Sequence, residues 1–229
     1  MNNPSYIVAS KVKWNEKHFD QFSNEKNNIW NFASTPTELD KLLEVTSPRY
    51  IFFPHWSWIV SKEVVKKYEC ICFHMTDLPF GRGGSPLQNL IVQGYKETML
   101  TALKMEEGVD TGPIYYKKSL SLHGTAHDIY KRSEGLCWDM INDFVADNPD
   151  SVSQKGVVTN FKRRTPEQSR LPEGLSLEEV YNYIRMLDAP GYPKAFLEMN
   201  DYRLEFESSS YVDGRLSAKV SFIKREDNV

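Results

Sequence analysis

Cysteine and long apolar runs are both scarce in this sequence, and their scarcity excludes two classes of protein. The three cysteines are Cys70, Cys72 and Cys137, an odd number that does not make a disulfide framework. Cys70 and Cys72 are too close in sequence for a zinc-binding CxxC motif, and no second pair follows. The longest apolar runs, such as residues 50–53, fall far short of the ~20 residues that a membrane helix needs. The N-terminus lacks a basic patch followed by an apolar run, so we expect no signal peptide and a cytoplasmic protein with reduced thiols.

Several motifs of cofactor binding and catalysis are also missing. The chain has neither the G-x-G-x-x-G of dinucleotide-binding folds nor the G-x-x-x-x-G-K-[ST] of P-loop proteins. It has no G-x-S-x-G nucleophile elbow and no H-E-x-x-H zinc motif. His123 and His127 are four residues apart, but Gly124 and Thr125 indicate a helix start that leaves His123 outside the helix. We therefore expect no metal site.

Neither sign of charge is in excess. The 229 residues include 28 Lys and Arg against 31 Asp and Glu, which gives a formal net charge of −3. This balance gives no reason to expect a nucleic acid as the main partner, although a few local cations could hold one small phosphorylated ligand. The composition, 40% hydrophobic and 26% charged, is that of an ordinary folded protein. The length predicts one full domain with an appendage, or two small domains.

Strand and helix signals alternate along the first part of the chain. Short apolar runs predict strands, and cap signals such as Thr35 and Pro36 predict the helices between them. The predicted strands are residues 6–9, 29–32, 50–53, 70–74, 99–105 and 113–122. The predicted helices are residues 15–22, 36–45, 61–67, 86–94 and 125–145. Alternation with short joints is typical of βαβ units, so we expect an α/β fold around a parallel sheet.

The composition changes after about residue 150. Residues 160–175 are basic and contain prolines, which is typical of a linker or of a segment that crosses the first domain. Ser176, followed by Glu178 and Glu179, predicts a helix over residues 176–187. Residues 195–223 alternate like strands, with Asp213-Gly214 as a hairpin turn. We therefore expect a main domain over residues 1–160, followed by a linker helix and a small β-rich subdomain over residues 161–229.

Two ionisable residues, His74 and Asp110, are candidates for a functional site. His74 ends an apolar strand just before a loop rich in proline and glycine, and open α/β sheets bind ligands at the carboxyl ends of their strands. Asp110 lies between glycines in Gly108-Val109-Asp110-Thr111-Gly112. Taken singly, a lone histidine is most often structural and such an aspartate is most often a turn residue.

Considered together, these residues belong to two motifs that follow one another in the chain. The first is His74-Met75-Thr76-Asp77-Leu78-Pro79-Phe80-Gly81-Arg82-Gly83-Gly84-Ser85-Pro86, and the second is Gly108-Val109-Asp110-Thr111-Gly112. Together they resemble the pattern H-x-S-x-L-P-x-x-R-G-x-x-P, then G-x-D-T-G, of the formyltransferase family that uses 10-formyltetrahydrofolate. A third stretch, residues 161–196, is similar to the segment that links the catalytic and C-terminal parts in that family. The resemblance covers about residues 48–197 and is weak over residues 1–47.

The resemblance implies a Rossmann-like parallel sheet, with the formyltransferase catalytic domain in residues 1–160. It implies 10-formyltetrahydrofolate as co-substrate, no metal, and transfer of a formyl group to a primary amine. The family uses an Asn, a His and an Asp for this chemistry, which needs a donor for the oxyanion and a proton shuttle. His74 would act as base or oxyanion donor, and Asp110 would hold the tautomer of its imidazole.

The chain departs from the family at the asparagine. The family reads N-x-H, whereas this chain reads Cys72-Phe73-His74, and a thiol is a poor substitute for an amide donor. Three explanations remain open: a backbone N–H and His74 hold the oxyanion, another amide such as Gln88 or Asn89 replaces the missing one, or the protein is catalytically weak. Nothing in the sequence marks Cys72 as an activated nucleophile.

The resemblance also implies binding residues and an acceptor. Residues expected to contact the folate are Phe53, His55, Trp56, Trp58, Arg82, Gly108 and Val109. Residues expected to contact the acceptor are Thr76, Gln88, Asn89, Lys162, Arg163 and Arg164, the last three as a diphosphate clamp. The acceptor most in keeping with the sequence is a nucleotide-linked amino sugar, such as a UDP-4-amino-4,6-dideoxy sugar of the kind used in pseudaminic acid biosynthesis. The alternatives are formylation of an aminoacyl-tRNA or a carrier-bound aminoacyl group, or a folate-binding protein without turnover. A homodimer is expected as the assembly.

Overall fold

The structure, a computed structural model, describes residues 3–24 and 28–225. The strands are β1 (Ser5–Ala9), β2 (Ile29–Ala33), β3 (Tyr50–Phe53), β4 (Cys70–His74), β5 (Arg82–Gly83), β6 (Glu97–Lys104), β7 (Ile114–Ser121), β8 (Asn160–Phe161), β9 (Ala195–Met199), β10 (Tyr202–Val212) and β11 (Arg215–Lys224). The helices are α1 (Lys13–Asn24), α2 (Pro36–Val45), α3 (Lys62–Lys67), α4 (Pro86–Val92), α5 (Ala126–Asp147) and α6 (Leu177–Arg185), with a 3-10 helix at Pro166–Ser169. All of the predicted strands and helices are confirmed, with small shifts at their ends.

The chain divides into two compact units. Among the described residues, the first unit comprises the chain up to Arg82 together with Met99–Lys118 and Ser133–Thr159. The second comprises Gly83–Thr98, Ser119–Arg132 and the chain from Asn160 onward. The second unit thus includes two segments from before residue 160, and the division into domains at residues 1–160 and 161–229 stays a prediction.

The first unit is built on a six-stranded sheet with the order β2-β1-β3-β4-β6-β7. β1 pairs with β2 and β3, and β3 pairs with β4, all in parallel. β6 runs antiparallel to β4, so that His74 lies opposite Thr101. The Rossmann-like α/β fold is confirmed, and the one refinement is that the sheet is mixed rather than wholly parallel.

Side chains alternate between the two faces of this sheet along each strand. Helices cover both faces and bury them. On one face, Ile7, Ile51 and Phe53 pack with Leu39 of α2 in a continuous apolar cluster. On the other face, the ring of Phe144 in α5 lies 5.4 Å from those of both Tyr50 and Phe52. Burying each such side chain contributes about 1.5–3 kcal/mol, so helices on both faces hold the sheet in place.

The second unit contains the three-stranded antiparallel sheet β11-β10-β9. Asp213 and Gly214 join β10 to β11 with φ values of 49° and 72°, the left-handed pair that a two-residue hairpin turn requires. Ser176 and Glu179 form a reciprocal capping box at the start of α6. Among the described residues, no helix has the length and apolarity needed to cross a membrane.

Candidate active site

His74 is the last residue of β4 and is 8% exposed. Because side chains alternate along a strand, Cys72 and His74 lie on the same face, as the N-x-H spacing of the resembled family requires. Thr101, opposite His74, donates its hydroxyl proton to the carbonyl of Thr76 over 2.6 Å. This bond fixes the start of the loop that follows β4.

Both ring nitrogens of His74 face oxygen acceptors. Nδ1 lies 3.4 Å from Oδ2 of Asp110, and Nε2 lies 2.8 Å from the carbonyl oxygen of Gly81. A neutral imidazole carries only one N–H, so only the doubly protonated ring donates to both oxygens. Either oxygen can therefore accept a hydrogen bond from an imidazole N–H.

Asp110 reaches His74 from a tightly shaped loop. Its own backbone is left-handed, with φ 53°, a conformation in which Asp and Asn are enriched among non-glycine residues. Two residues on, a Cβ added to Gly112 would lie 1.9 Å from the carbonyl oxygen of Lys104. Only glycine permits this approach to β6, which explains the second glycine of the G-x-D-T-G motif.

A glutamine from outside both motifs contacts this loop. The amide nitrogen of Gln154 donates to the carbonyls of Asp110 and Gly112, each over 2.8 Å. Its amide oxygen accepts from Nη2 and Nε of Arg82 over 2.8 and 3.2 Å. Arg82, expected to contact folate, therefore directs two of its donors at Gln154.

Cys72 lies beside this group as a free thiol. Burial, and to a lesser degree the negative charge of Asp110, raise the pKa of Cys72 well above its ordinary value. A thiol with a raised pKa stays neutral near pH 7 and is a weak nucleophile. This agrees with the expectation that Cys72 is not a covalent catalyst.

The aromatic segment after β3 extends from the core to the surface. Phe53 is 2% exposed and belongs to the apolar cluster of the sheet. The ring of Trp56 lies 5.7 Å from that of Phe53 and 4.8 Å from that of Trp58, which is 43% exposed. Of these three rings, Trp58 is therefore the most accessible.

His55 precedes these tryptophans with φ 53°. Its Nε2 lies 3.5 Å from the hydroxyl oxygen of Ser133. Burial, with a smaller contribution from the charge of Lys11, lowers the pKa of His55 to about 4. His55 is therefore neutral near pH 7.

The other loop residues expected at the site lie in the same unit. Thr76 is fully buried and donates to the carbonyl of Gly81 over 3.3 Å. Gly108 has φ 109°, and Val109 is 69% exposed. An ion pair between Lys62 and Glu107 joins the chain just beyond the aromatic segment to the loop that carries Asp110.

The remaining residues predicted to contact the acceptor belong to the second unit, where their polar groups have partners. The amide nitrogen of Gln88 donates to the hydroxyl of Tyr130 and the carbonyl of Met186. The amide nitrogen of Asn89 donates to the carbonyls of residues 84, 85 and 162. Gln88 and Asn89, the amides considered as replacements for the family's asparagine, thus have their donor groups engaged.

The basic cluster is divided between solvent and the protein. Lys162 and Arg163 are exposed. Arg164 instead donates to the hydroxyl of Tyr183 over 2.8 Å and to the carbonyl of Gln168. Of the predicted diphosphate clamp, Lys162 and Arg163 therefore have their charged groups at the surface.

Sequence reasoning missed three groups that contact the predicted pair or its loops. Gly81 contributes its carbonyl oxygen, Gln154 its side-chain amide, and Thr159 a hydroxyl oxygen that accepts from the N–H of Gly81 over 2.7 Å. Gln154 and Thr159 lie in a polar loop with no local pattern that would have identified them. Within the part of the chain that the structure describes, no group of three or more His, Cys, Asp or Glu side chains is arranged to hold a metal ion.

Comparison with family models gives two matches. Residues 3–135 match the model described as formyl transferase, which is more than half of the chain. Residues 166–223 match the model described as the C-terminal domain of methionyl-tRNA formyltransferase.

Individual relatives agree with these matches. Methionyl-tRNA formyltransferases from Clostridium botulinum and Clostridium acetobutylicum are 28% and 29% identical over 81% and 89% of this chain. The chain spans 62% and 69% of the length of these two curated relatives. A solved structure of methionyl-tRNA formyltransferase from Clostridium thermocellum is 44% identical, with a TM-score of 0.91 over 96% of this chain and 99% of that one.

Two more distant structures share the fold. A 4-N formyltransferase from Francisella tularensis is 13% identical, with a TM-score of 0.67 over 97% of each chain. HypX from Aquifex aeolicus, solved in complex with tetrahydrofolic acid, is 15% identical, with a TM-score of 0.72 over 89% of this chain and 37% of that one. At these identities the likeness shows the architecture alone.

Proposed function

We propose that this chain, which belongs to the formyl transferase family of one-carbon transferases, transfers a formyl group from 10-formyltetrahydrofolate to a primary amine. The observation that carries the proposal is the position of His74, with Nδ1 facing the carboxylate of Asp110 and Nε2 facing the carbonyl of Gly81. The two motifs predicted to form a site are therefore in contact through their ionisable side chains.

The proposed reaction exchanges one carbon–nitrogen bond for another. The amine nitrogen attacks the formyl carbon and loses a proton, while the bond from that carbon to N10 breaks and N10 gains a proton. In our proposal, Nε2 of His74 exchanges its contact with the Gly81 carbonyl for a hydrogen bond to the formyl oxygen as that oxygen becomes negative, because a positioned donor is worth most where charge develops. His74 then supplies the proton to N10.

Asp110 has two proposed roles. Its carboxylate faces Nδ1 of His74 and fixes the orientation of the ring. Its side chain is 16% exposed, so it also remains accessible to accept the proton that the amine loses. In this scheme Cys72 takes part in no proton transfer, and a backbone N–H together with His74 replaces the family's asparagine.

The co-substrate carries a reduced pterin joined to a benzoyl ring, and we propose that these rings bind between the aromatic segment and the loop of Asp110. Trp58 and Val109 offer exposed apolar surface there, and the Lys62–Glu107 ion pair links the two stretches of chain. Apolar walls with a few polar groups are the usual setting for such a ligand.

For the acceptor, the comparisons favour an aminoacyl-tRNA over the amino sugar that the sequence resemblance implies. The curated relatives and the 44%-identical structure are methionyl-tRNA formyltransferases, and residues 166–223 match the C-terminal domain model of that enzyme. A nucleotide-linked amino sugar is the second candidate. It is supported by the net charge of −3, which gives a polyanion no general attraction, and by the fold shared with a 4-N formyltransferase.

Turnover with defined amines tests both candidates. The protein is incubated with 10-formyltetrahydrofolate and either methionyl-tRNA or a panel of nucleotide-linked 4-amino sugars. Release of tetrahydrofolate and the mass of the formylated product are measured. Formylation of one acceptor class, abolished in His74→Ala, is the expected result. Tight folate binding without turnover of any amine would overturn the enzymatic proposal in favour of a folate-binding protein.

A further inference from the structure

Gln154 joins two parts of the site that are distant in sequence. Its amide oxygen accepts two hydrogen bonds from Arg82, and its amide nitrogen donates to the carbonyls on either side of Thr111. All four bonds are within 3.2 Å. Gln154 lies in neither of the two motifs.

The partners of Gln154 determine its chemistry. An arginine side chain can only donate and a backbone carbonyl can only accept. The residue between them must accept on one side and donate twice on the other, which a carboxamide does in one fixed orientation. Glutamate would retain the bonds from Arg82 but could donate nothing to the two carbonyls.

Hydrogen bonds attach the backbone on both sides of Gln154, at Val152 and at Thr159, to other parts of the first unit. Val152 exchanges two backbone hydrogen bonds of 2.8 Å with Ile114, just after the Asp110 loop. Thr159 accepts from the N–H groups of both Gly81 and Arg82. Gly81 in turn offers its carbonyl to Nε2 of His74. Residues 152–159, which we name the bridging segment, therefore contact both loops that hold the ring of His74.

We propose that Gln154 is a positioning residue for the reaction. By binding the carbonyls of Asp110 and Gly112, it holds the left-handed backbone of Asp110, and so sets the distance from its carboxylate to His74. This inference rests on the proposed function. It assigns to Arg82 the role of orienting the Gln154 amide, in addition to any contact with a ligand.

Two substitutions separate positioning from a general structural role. Gln154→Glu keeps the bonds from Arg82 and removes both donors to the loop, whereas Gln154→Leu removes every bond. The matched controls are Gln93→Glu and Gln93→Leu, because Gln93 is exposed. We expect Gln154→Glu to lower kcat about 10- to 100-fold, since small misplacements of reacting groups are costly. We expect KM for the folate donor to change by less than about threefold, as befits a group that contributes no ground-state binding.

A double substitution tests whether Gln154 acts through Asp110. Once Asp110→Asn has removed the carboxylate, adding Gln154→Glu should lower the rate by no more than about twofold, because coupled residues are not additive. If the losses instead multiply, the proposal is wrong.

A spectroscopic measurement keeps the test independent of turnover. A slowly exchanging imidazole N–H signal, assigned by its loss in His74→Ala, reports the contact between His74 and Asp110. We expect the signal to disappear in Gln154→Glu and to persist in Gln93→Glu. Persistence of the signal in a folded Gln154→Glu protein, or an unchanged kcat, would overturn the positioning role. If the wild-type protein formylates no amine and the signal still depends on Gln154, the proposed function fails and the positioning role stands.

Discussion

Asp110 meets His74 from a separate loop, with Oδ2 of the carboxylate 3.4 Å from Nδ1 of the ring and both side chains largely buried. We expect His74→Ala and Asp110→Asn each to lower kcat by at least about 100-fold, because each removes a group that handles a proton. The measurement is the release of tetrahydrofolate, with the melting temperature as the check on folding. A near-normal rate in either variant would show that the pair is not the catalytic machinery.

Substitution of Cys72 should have little effect on activity. Because the thiol has a raised pKa and no proposed role in proton transfer, Cys72→Ser and Cys72→Asn should both keep activity within about fivefold of the wild type. Iodoacetamide at pH 7 should leave Cys72 unlabelled in the folded protein, as judged by peptide mass spectrometry. Rapid labelling accompanied by inactivation would indicate an activated thiol and contradict this expectation.

The neutral His55 should make stability depend on pH. Its pKa is lowered from 6.5 to about 4 in the folded protein, so between these values the unfolded chain binds more protons than the folded one. Its contribution to stability is therefore complete above about pH 6.5 and is lost as the pH falls towards 4. Because the ring is only partly buried, we discount the full effect of the pKa change. We expect the free energy of unfolding to fall by about 2 kcal/mol over this range.

Urea unfolding of wild type and His55→Gln at several pH values measures that contribution. The variant should be less sensitive to acid than the wild type between pH 6.5 and 4.5. Because the other histidines are common to both proteins, the difference between the two curves isolates His55. Parallel curves would show that His55 is not buried in its neutral form.

Two glycines should respond to alanine in opposite ways. At Gly112 a Cβ would lie 1.9 Å from a backbone oxygen, so Gly112→Ala must displace the loop of Asp110, and we expect at least about a tenfold loss of kcat. Gly135 is exposed within α5 and a Cβ there meets nothing within 4 Å. Gly135→Ala should therefore stabilise the protein by about 0.5–1 kcal/mol in urea unfolding. Equal activity in the two variants would argue against a tight approach at Gly112.

The expected homodimer stays a prediction, and one sheet face offers a way to test it. Phe222 is 62% exposed and lies opposite Leu204, while Met199 and Val220 are 47% and 39% exposed. An apolar surface of this kind is typical of an interaction site. We expect Phe222→Glu to lower the mass found by light scattering from dimer to monomer. Ile223→Glu, on the opposite face of the same strand, should leave the measured mass unchanged. A monomeric wild-type protein would contradict the expectation.

The elements of the fold were predictable because their signals are local. Thr35 caps α2 by accepting from the N–H of Glu38, and the Asp213–Gly214 turn follows from two adjacent residues. The direction of β6 was not predictable in this way. A strand in an apolar run carries no mark of which neighbour it will pair with, so its antiparallel pairing with β4 is set by tertiary contacts.

The site was predictable to the extent that its residues lie in motifs. His74 ends an apolar strand and Asp110 lies between two glycines, and the family resemblance implies that these two residues act together. Gln154 follows Ser153 and precedes Lys155 in a polar stretch where an amide is unremarkable. Its importance depends on hydrogen bonds to residues more than forty positions away, which local propensity does not encode.

The bridging segment also has a consequence for the order of events during synthesis. Gln154 and Thr159 follow both His74 and Asp110 in the chain. A ribosome that has released residues only as far as Phe144 has delivered every strand of the six-stranded sheet and both ionisable side chains. Gln154 and Thr159, whose side chains contact the loops around His74 and Asp110, are still inside the ribosome or not yet synthesised. If Gln154 positions Asp110 as we propose, the site is complete only when translation has passed Thr159, although every strand of the sheet is released before that point.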